Sequence, residues 1–99
     1  MQKSSERAEV SWHEVKIFAA LSDKKWMTVY DVSKKSGIPR KTCQNHIKRF
    51  CNLNLVDLAE VFPRHYYKLS KMIAKRNLSY LTRLKHAAEV MSIRLPVKL

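Results

Sequence analysis

Apolar residues recur at helical spacing just after Ser11. Trp12, Val15, Phe18, Ala19 and Leu21 fall near one face. Ser11-Trp12-His13-Glu14 is a capping box, S-x-x-E, so a helix is expected to open there and stop around Ser22-Asp23. Lys24 to Met27 read as a short extended link. Thr28-Val29-Tyr30-Asp31 repeats the capping signal with Asp in place of Glu, and predicts a short helix from Val29 to about Lys35. Gly37 is the only glycine of the chain and ends it, because glycine adopts the left-handed conformation without a Cβ penalty.

Pro39 suits the first turn of a further helix, where its missing N–H is not needed. That helix is expected over about 39–51, with Cys43, Ile47, Phe50 and Cys51 as its apolar stripe. Arg40, Lys41, Gln44, Asn45, Lys48 and Arg49 are left outside. Asn52-Leu53-Asn54 closes it, and the period then shortens. Leu55 to Phe62 and His65 to Leu69 read as two strands joined by a turn at Pro63-Arg64. Ser70 caps a last helix, expected over about 71–95 and ended by Pro96. Ala74, Leu81, Leu84, Ala88, Met91 and Leu95 lie close to an a/d seam, with Asn77 in one polar slot. Residues 1–10 read as a flexible N-terminus.

The expected fold is therefore mainly α with a small β-hairpin (α+β). A short helix joined by a glycine turn to a second, basic helix is a helix-turn-helix, and the hairpin after it is a wing. In that arrangement the second helix places its outward side chains in the major groove of DNA.

Charge sharpens this picture. The 99 residues hold 20 Lys+Arg against 8 Asp+Glu, a net +12. Six basic residues and no acid lie between Asp31 and Asp57, and seven and no acid between Glu60 and Glu89. Fields this one-sided favour polyanions. No apolar run is long enough for a membrane span and the N-terminus has no signal-peptide core, so a cytoplasmic location without membrane partners is expected, on the nucleoid when bound to DNA.

The segments Thr28 to Val32, Ser36 to Phe50, Leu53 to Val56 and Tyr67 to Ser70 together resemble the winged helix-turn-helix transcriptional regulators, with MarR-like and ArsR-like spacing. The resemblance covers about residues 11–70. It departs at Asn54, where glycine is usual, and in a very short wing. It implies that Gln44 and Asn45 face bases, where either amide can bond bidentately to adenine. Arg40 and Lys41 then reach guanine or phosphate. Thr42 corresponds to a phosphate-contacting hydroxyl, Lys48 and Arg49 are further phosphate contacts, and Arg64 is a clamp on backbone or minor groove.

The last helix has two readings. It is either a core helix of the monomer or a dimerisation helix, and the second is expected here, through Leu81, Leu84, Ala88 and Met91 (residues 71–95), because a winged-helix body closes without it. Lys71, Lys75, Arg76, Arg83 and Lys85 would then line an outer or DNA-facing surface.

Other signals weigh less. Cys43 and Cys51 lie eight positions apart, about 12 Å along one helix, beyond the roughly 7 Å reach of a disulfide. With His46 they invite a metal reading, but both thiols fall on the apolar stripe and zinc needs converging ligands, so no metal and no cofactor are expected. His13, His65 and His86 form no site. Trp12, Trp26, Tyr66 and Tyr67 read as core and hairpin residues rather than base-stacking platforms. No P-loop, nucleophile elbow or paired carboxylates suggest an enzyme. The expected function is sequence-specific binding of double-stranded DNA by a small homodimeric regulator, repressing by occupancy. The alternative is a winged-helix interaction module in a replication, conjugation or RNA-binding assembly.

Overall fold

The computed structural model describes residues 10–71 and 77–96. The first helix, α1, spans Trp12–Ala20. Ser11 and Glu14 form the full capping box: the Ser11 Oγ accepts the Glu14 N–H at 3.2 Å and the Glu14 Oε1 accepts the Ser11 N–H at 3.0 Å. Its buried set is wider than one stripe. Val15, Ile17, Phe18 and Ala20 are all buried, while Trp12 is 53% exposed. At about 100° per residue these four positions point around most of the circumference. Such a helix needs neighbours on several sides, and it has three.

The second helix, α2 (Val29–Ser36), opens on the Thr28–Asp31 capping box, with both bonds at 3.1 Å. Gly37 follows at φ 76°, ψ 14°, its N–H bonded to the Ser33 carbonyl at 2.9 Å. The turn is fastened from inside. Ser33 Oγ donates to the Ile38 carbonyl at 2.6 Å, and the Ile38 N–H bonds to Ser36 Oγ at 3.2 Å. Pro39 stands just outside the third helix, α3 (Arg40–Asn52), and its carbonyl accepts the Cys43 N–H at 3.0 Å. Cys43, Ile47 and Phe50 are buried, with Phe50 edge-on to Phe18 at 5.6 Å between centroids. Asn54 takes the left-handed conformation, φ 63°, and turns the chain into the sheet.

Strands β1 (Val56–Val61) and β2 (Arg64–Leu69) pair antiparallel from Val56↔Leu69 to Val61↔Arg64. The turn is Phe62-Pro63, one residue earlier than the sequence suggested, so Arg64 begins β2 instead of occupying the turn. The hairpin is anchored to the link before α2. Met27 and Tyr67 exchange backbone hydrogen bonds of 2.9 and 2.7 Å, and the Leu69 N–H reaches the Ser22 carbonyl at 2.9 Å.

The last helix departs most from expectation. Helix α4 spans Leu78–Val90, not 71–95. Lys71 is in a turn, and Ala74, Lys75 and Arg76 lie outside the described residues. Asn77 is not a polar slot in a seam. It precedes the helix at φ 50° and donates from Nδ2 to the Leu53 carbonyl. The helix stops well before Pro96. Ser92 is left-handed (φ 58°), its N–H bonds to the Glu89 carbonyl at 3.1 Å, and the Ile93 N–H bonds to the Ala88 carbonyl at 2.8 Å. This is a Schellman motif. It folds Ile93 and Leu95 back onto the core.

The seam itself is also turned differently. Leu81, Leu84 and Ala88 are buried in the protein's own core, where α4 packs on α1. They are not available to a second copy. The physical reason is the wide apolar surface of α1, which α2 and α3 do not cover alone. Of the four residues expected at a dimer interface, Met91 alone is partly exposed. Of the segment 1–10, Val10 falls within the described residues and packs on the core.

Candidate nucleic-acid interface

The outward face of α3 follows from its inward one. With Cys43, Ile47 and Phe50 held in the core, Arg40, Gln44, Lys48, Lys41 and Asn45 spread over an arc of about 140° on the opposite side. All five are exposed, and no acid lies in α3. Thr42 and Arg49 sit at the edge of that arc. Thr42 is half-buried. Arg49 is exposed but turns back, placing Nη1 3.6 Å from the Glu14 carboxylate.

Arg64 stands across a groove from this face. The groove is lined by Tyr30, Arg40, Gln44, Pro63, Arg64 and His65 among others, so α2, α3 and the hairpin share one concavity. Arg40, Gln44 and Arg64 are thus brought together. Lys41, Asn45 and Lys48 extend the α3 face beyond it. Arg83 and Lys85 are on α4, a separate element, and both are exposed.

Tyr30 joins this site from outside the residues that the sequence pattern marks. It is exposed at the start of α2, with the Arg40 guanidinium 5.9 Å from its ring centre and the Lys34 ammonium 5.5 Å away. These contacts hold two cations at the groove edge. The Tyr30–Lys34 spacing of four within a capped helix was the available signal.

Of the acids nearby, Asp31 lines the groove and is exposed. Asp31 accepts the Thr28 N–H, Glu60 lies 3.6 Å from His65, and Asp57 stands opposite Lys68 in the ladder. Glu14 is buried behind α3. The groove lining thus holds two arginines, Arg40 and Arg64, against one carboxylate, Asp31.

The remaining candidates are structural in placement. Cys43 is fully buried, its thiol 3.4 Å from the Ile38 carbonyl; burial pushes its pKa up, partly offset by the Ser36 hydrogen bond. Cys51 is also raised, by burial and then by the Asp57 charge. Both are free thiols. His46 is half-buried and its ring centre is 6.3 Å from that of His13. Burial lowers its pKa against the pull of Glu14. Among the described residues, no three His, Cys, Asp or Glu side chains converge on a metal-sized site. No described helix is long and apolar enough to cross a membrane. Tyr67 is buried in the hairpin, as expected, but Trp12 and Trp26 are not core residues: both are exposed, Trp26 beneath the Lys68 ammonium at 4.7 Å and Trp12 tilted against His13 at 4.0 Å between ring centres.

Solved structures share this architecture. A Bordetella bronchiseptica protein, BpsR, whose DNA binding is regulated by 6-hydroxynicotinic acid, aligns at TM-score 0.57 and 14% identity, covering 80% of this chain and 60% of its own. A mutant of Lactococcus lactis ZitR aligns at TM-score 0.55 and 13% identity, covering 93% and 75%. Sso10a-2, a DNA-binding protein from Sulfolobus solfataricus, aligns at TM-score 0.52 and 13% identity, covering 84% and 94%. The present chain thus spans less than two thirds of BpsR. No curated protein sequence matches it. At these identities the likeness establishes the winged-helix fold. The sequence itself matches the family model described as sugar-specific transcriptional regulator TrmB over residues 7–72, the stretch that holds the helix-turn-helix and the wing, and the chain belongs to that family of transcription regulators.

Proposed function

We propose that the protein binds double-stranded DNA by laying α3 in the major groove, with Gln44 and Asn45 reading bases. Arg40, Lys41 and Lys48 hold phosphate or guanine, and Thr42 reaches phosphate from the edge of the face. Arg64 clamps the backbone from the hairpin, and Arg49 adds positive potential while it braces Glu14. The carrying observation is the five-residue, acid-free outward face of α3, which shares a groove with Arg64. Amides on such a face supply specificity, and the cations beside them supply affinity and salt dependence. Membership of a transcription-regulator family supports the reading.

The regulator acts as a homodimer that represses by occupying its site. Because the α4 seam is buried within one chain, the dimer uses the outer side of α4 instead. There Val10, Trp12, Arg83, His86, Val90 and Met91 line a shallow apolar groove, with Leu78 exposed on the same helix. Selection from a random duplex library at about 50 and 200 mM salt tests both statements. A palindromic motif enriched at both concentrations supports a sequence-reading dimer. Enrichment without sequence preference would remove the base-reading roles of Gln44 and Asn45.

A further inference from the structure

The hairpin tip carries three consecutive exposed apolar residues, Val61, Phe62 and Pro63. Phe62 is 96% exposed. Single apolar residues scattered over a surface are ordinary, but an exposed apolar run is unfavourable in water and marks a contact surface. The Phe62 ring is almost wholly outside the packing of this fold. The turn is two residues long, so the Phe62 ring stands at the end of a closed ladder whose last pair is Val61↔Arg64. At its other end the ladder is tied through Tyr67 to Met27.

We propose that this tip is a wedge for double-stranded DNA: Phe62 enters between base pairs from the minor groove, partly unstacks one step and bends the duplex. The inference rests on the duplex-binding reading above. Three observations favour DNA as the occupant. Pro63 and Arg64 line the same groove as Arg40 and Gln44, so the tip projects on the side of the α3 face. Arg64 adjoins the apolar run and suits the negative potential of a minor groove. The acid closest in the ladder, Glu60, has its carboxylate turned to His65, 3.6 Å from Nε2. Apolar wedges of this type, phenylalanine and proline among them, kink DNA by about 20–90°. Flexible pyrimidine–purine steps yield to them most readily.

The test uses the full chain and end-labelled duplexes of about 30 base pairs, one with a central TA step and one with an uninterrupted A-tract, read by energy transfer between the ends. Wild type should raise transfer on the TA duplex and prefer it about tenfold over the A-tract. Phe62→Ala, which removes no packing, should lose the rise in transfer and the preference, yet keep the same salt slope. Phe62→Leu should restore most of the bend. Arg64→Ala should lower the salt slope and leave the bend. If Phe62→Ala bends DNA as wild type does, or wild type binds without bending, the wedge is overturned while duplex binding stands. If Phe62→Ala instead loses adhesion to anionic vesicles and bends DNA normally, the tip belongs to a lipid surface. No binding of wild type to any duplex at 50 mM salt would overturn the underlying reading itself.

Discussion

The phenolic hydroxyl of Tyr80 donates to Oε2 of Glu14 at 2.5 Å inside the core. The same carboxylate accepts the Ser11 N–H through Oε1 and receives Arg49 at 3.6 Å. One side chain therefore joins the first turn of α1 to both α3 and α4. Only 6% of the Glu14 side chain is exposed, so its partners are not readily replaced by water.

Glu14→Ala should cost about 2–4 kcal/mol, because it removes half of a capping box and leaves a buried tyrosine hydroxyl without an acceptor. Tyr80→Phe should cost about 1 kcal/mol. Urea unfolding measures both. Equal, negligible shifts would show that the carboxylate plays no part in holding the helices.

The amides and the cations of α3 should behave differently. Lys48→Ala should weaken binding to all duplexes and lower the salt slope by roughly one. Gln44→Ala with Asn45→Ala should relax sequence preference by about 1–3 kcal/mol per lost bidentate pair and leave the salt slope alone. Arg49→Ala should act on thermal stability as well as on affinity, since its guanidinium is shared with Glu14. Competition binding at several salt concentrations, alongside thermal melts, separates these outcomes.

Leu84→Glu should unfold the protein rather than produce a folded monomer, because Leu84 has no exposed surface. Leu84→Ala should cost about 2–5 kcal/mol. Val90, 75% exposed, is the informative position. Val90→Glu should leave the fold intact and shift sedimentation from dimer to monomer. A folded Val90→Glu dimer would move the interface elsewhere.

The pH profile of stability should fall at both ends. Burial lowers the His46 pKa from 6.5, so the fold favours the neutral ring. That contribution is complete above pH 6.5 and is lost as pH falls through the lower folded value. Burial and the Glu14 hydrogen bond raise the Tyr80 pKa well above 10. Its contribution is complete below pH 10 and is lost as pH rises through the folded value. His46→Gln should flatten the acid limb and Tyr80→Phe the alkaline limb in melts taken across pH.

What was legible in the sequence was local. The boxes at Ser11–Glu14 and Thr28–Asp31 and the left-handed turn at Gly37 are decided within a few residues, and the structure has each where the sequence placed it. The stripe of Cys43, Ile47 and Phe50 then dictates which residues of α3 face outward. What was not legible depends on distant partners. The start of α4 is set by Asn77 reaching the Leu53 carbonyl, and its end by Ser92, whose left-handed backbone no residue type announces. The direction of the Leu81–Leu84–Ala88 seam depends on how much of α1 its other neighbours leave bare. Arg49 looks like one more surface cation until Glu14 is found behind it.

The Met27–Tyr67 bridge, together with the Ser22–Leu69 bond, makes the link before α2 a short extra edge beside the hairpin. The chain segment that positions the helix-turn-helix is thereby stitched to the wing. The spacing between Arg40 and Arg64 is thus tied to the backbone bonds of the fold itself. If α3 and the hairpin grip one duplex as proposed, a gauge of this kind measures groove geometry: a duplex whose grooves lie at the right separation would meet both arms at once, and one that does not would itself have to deform.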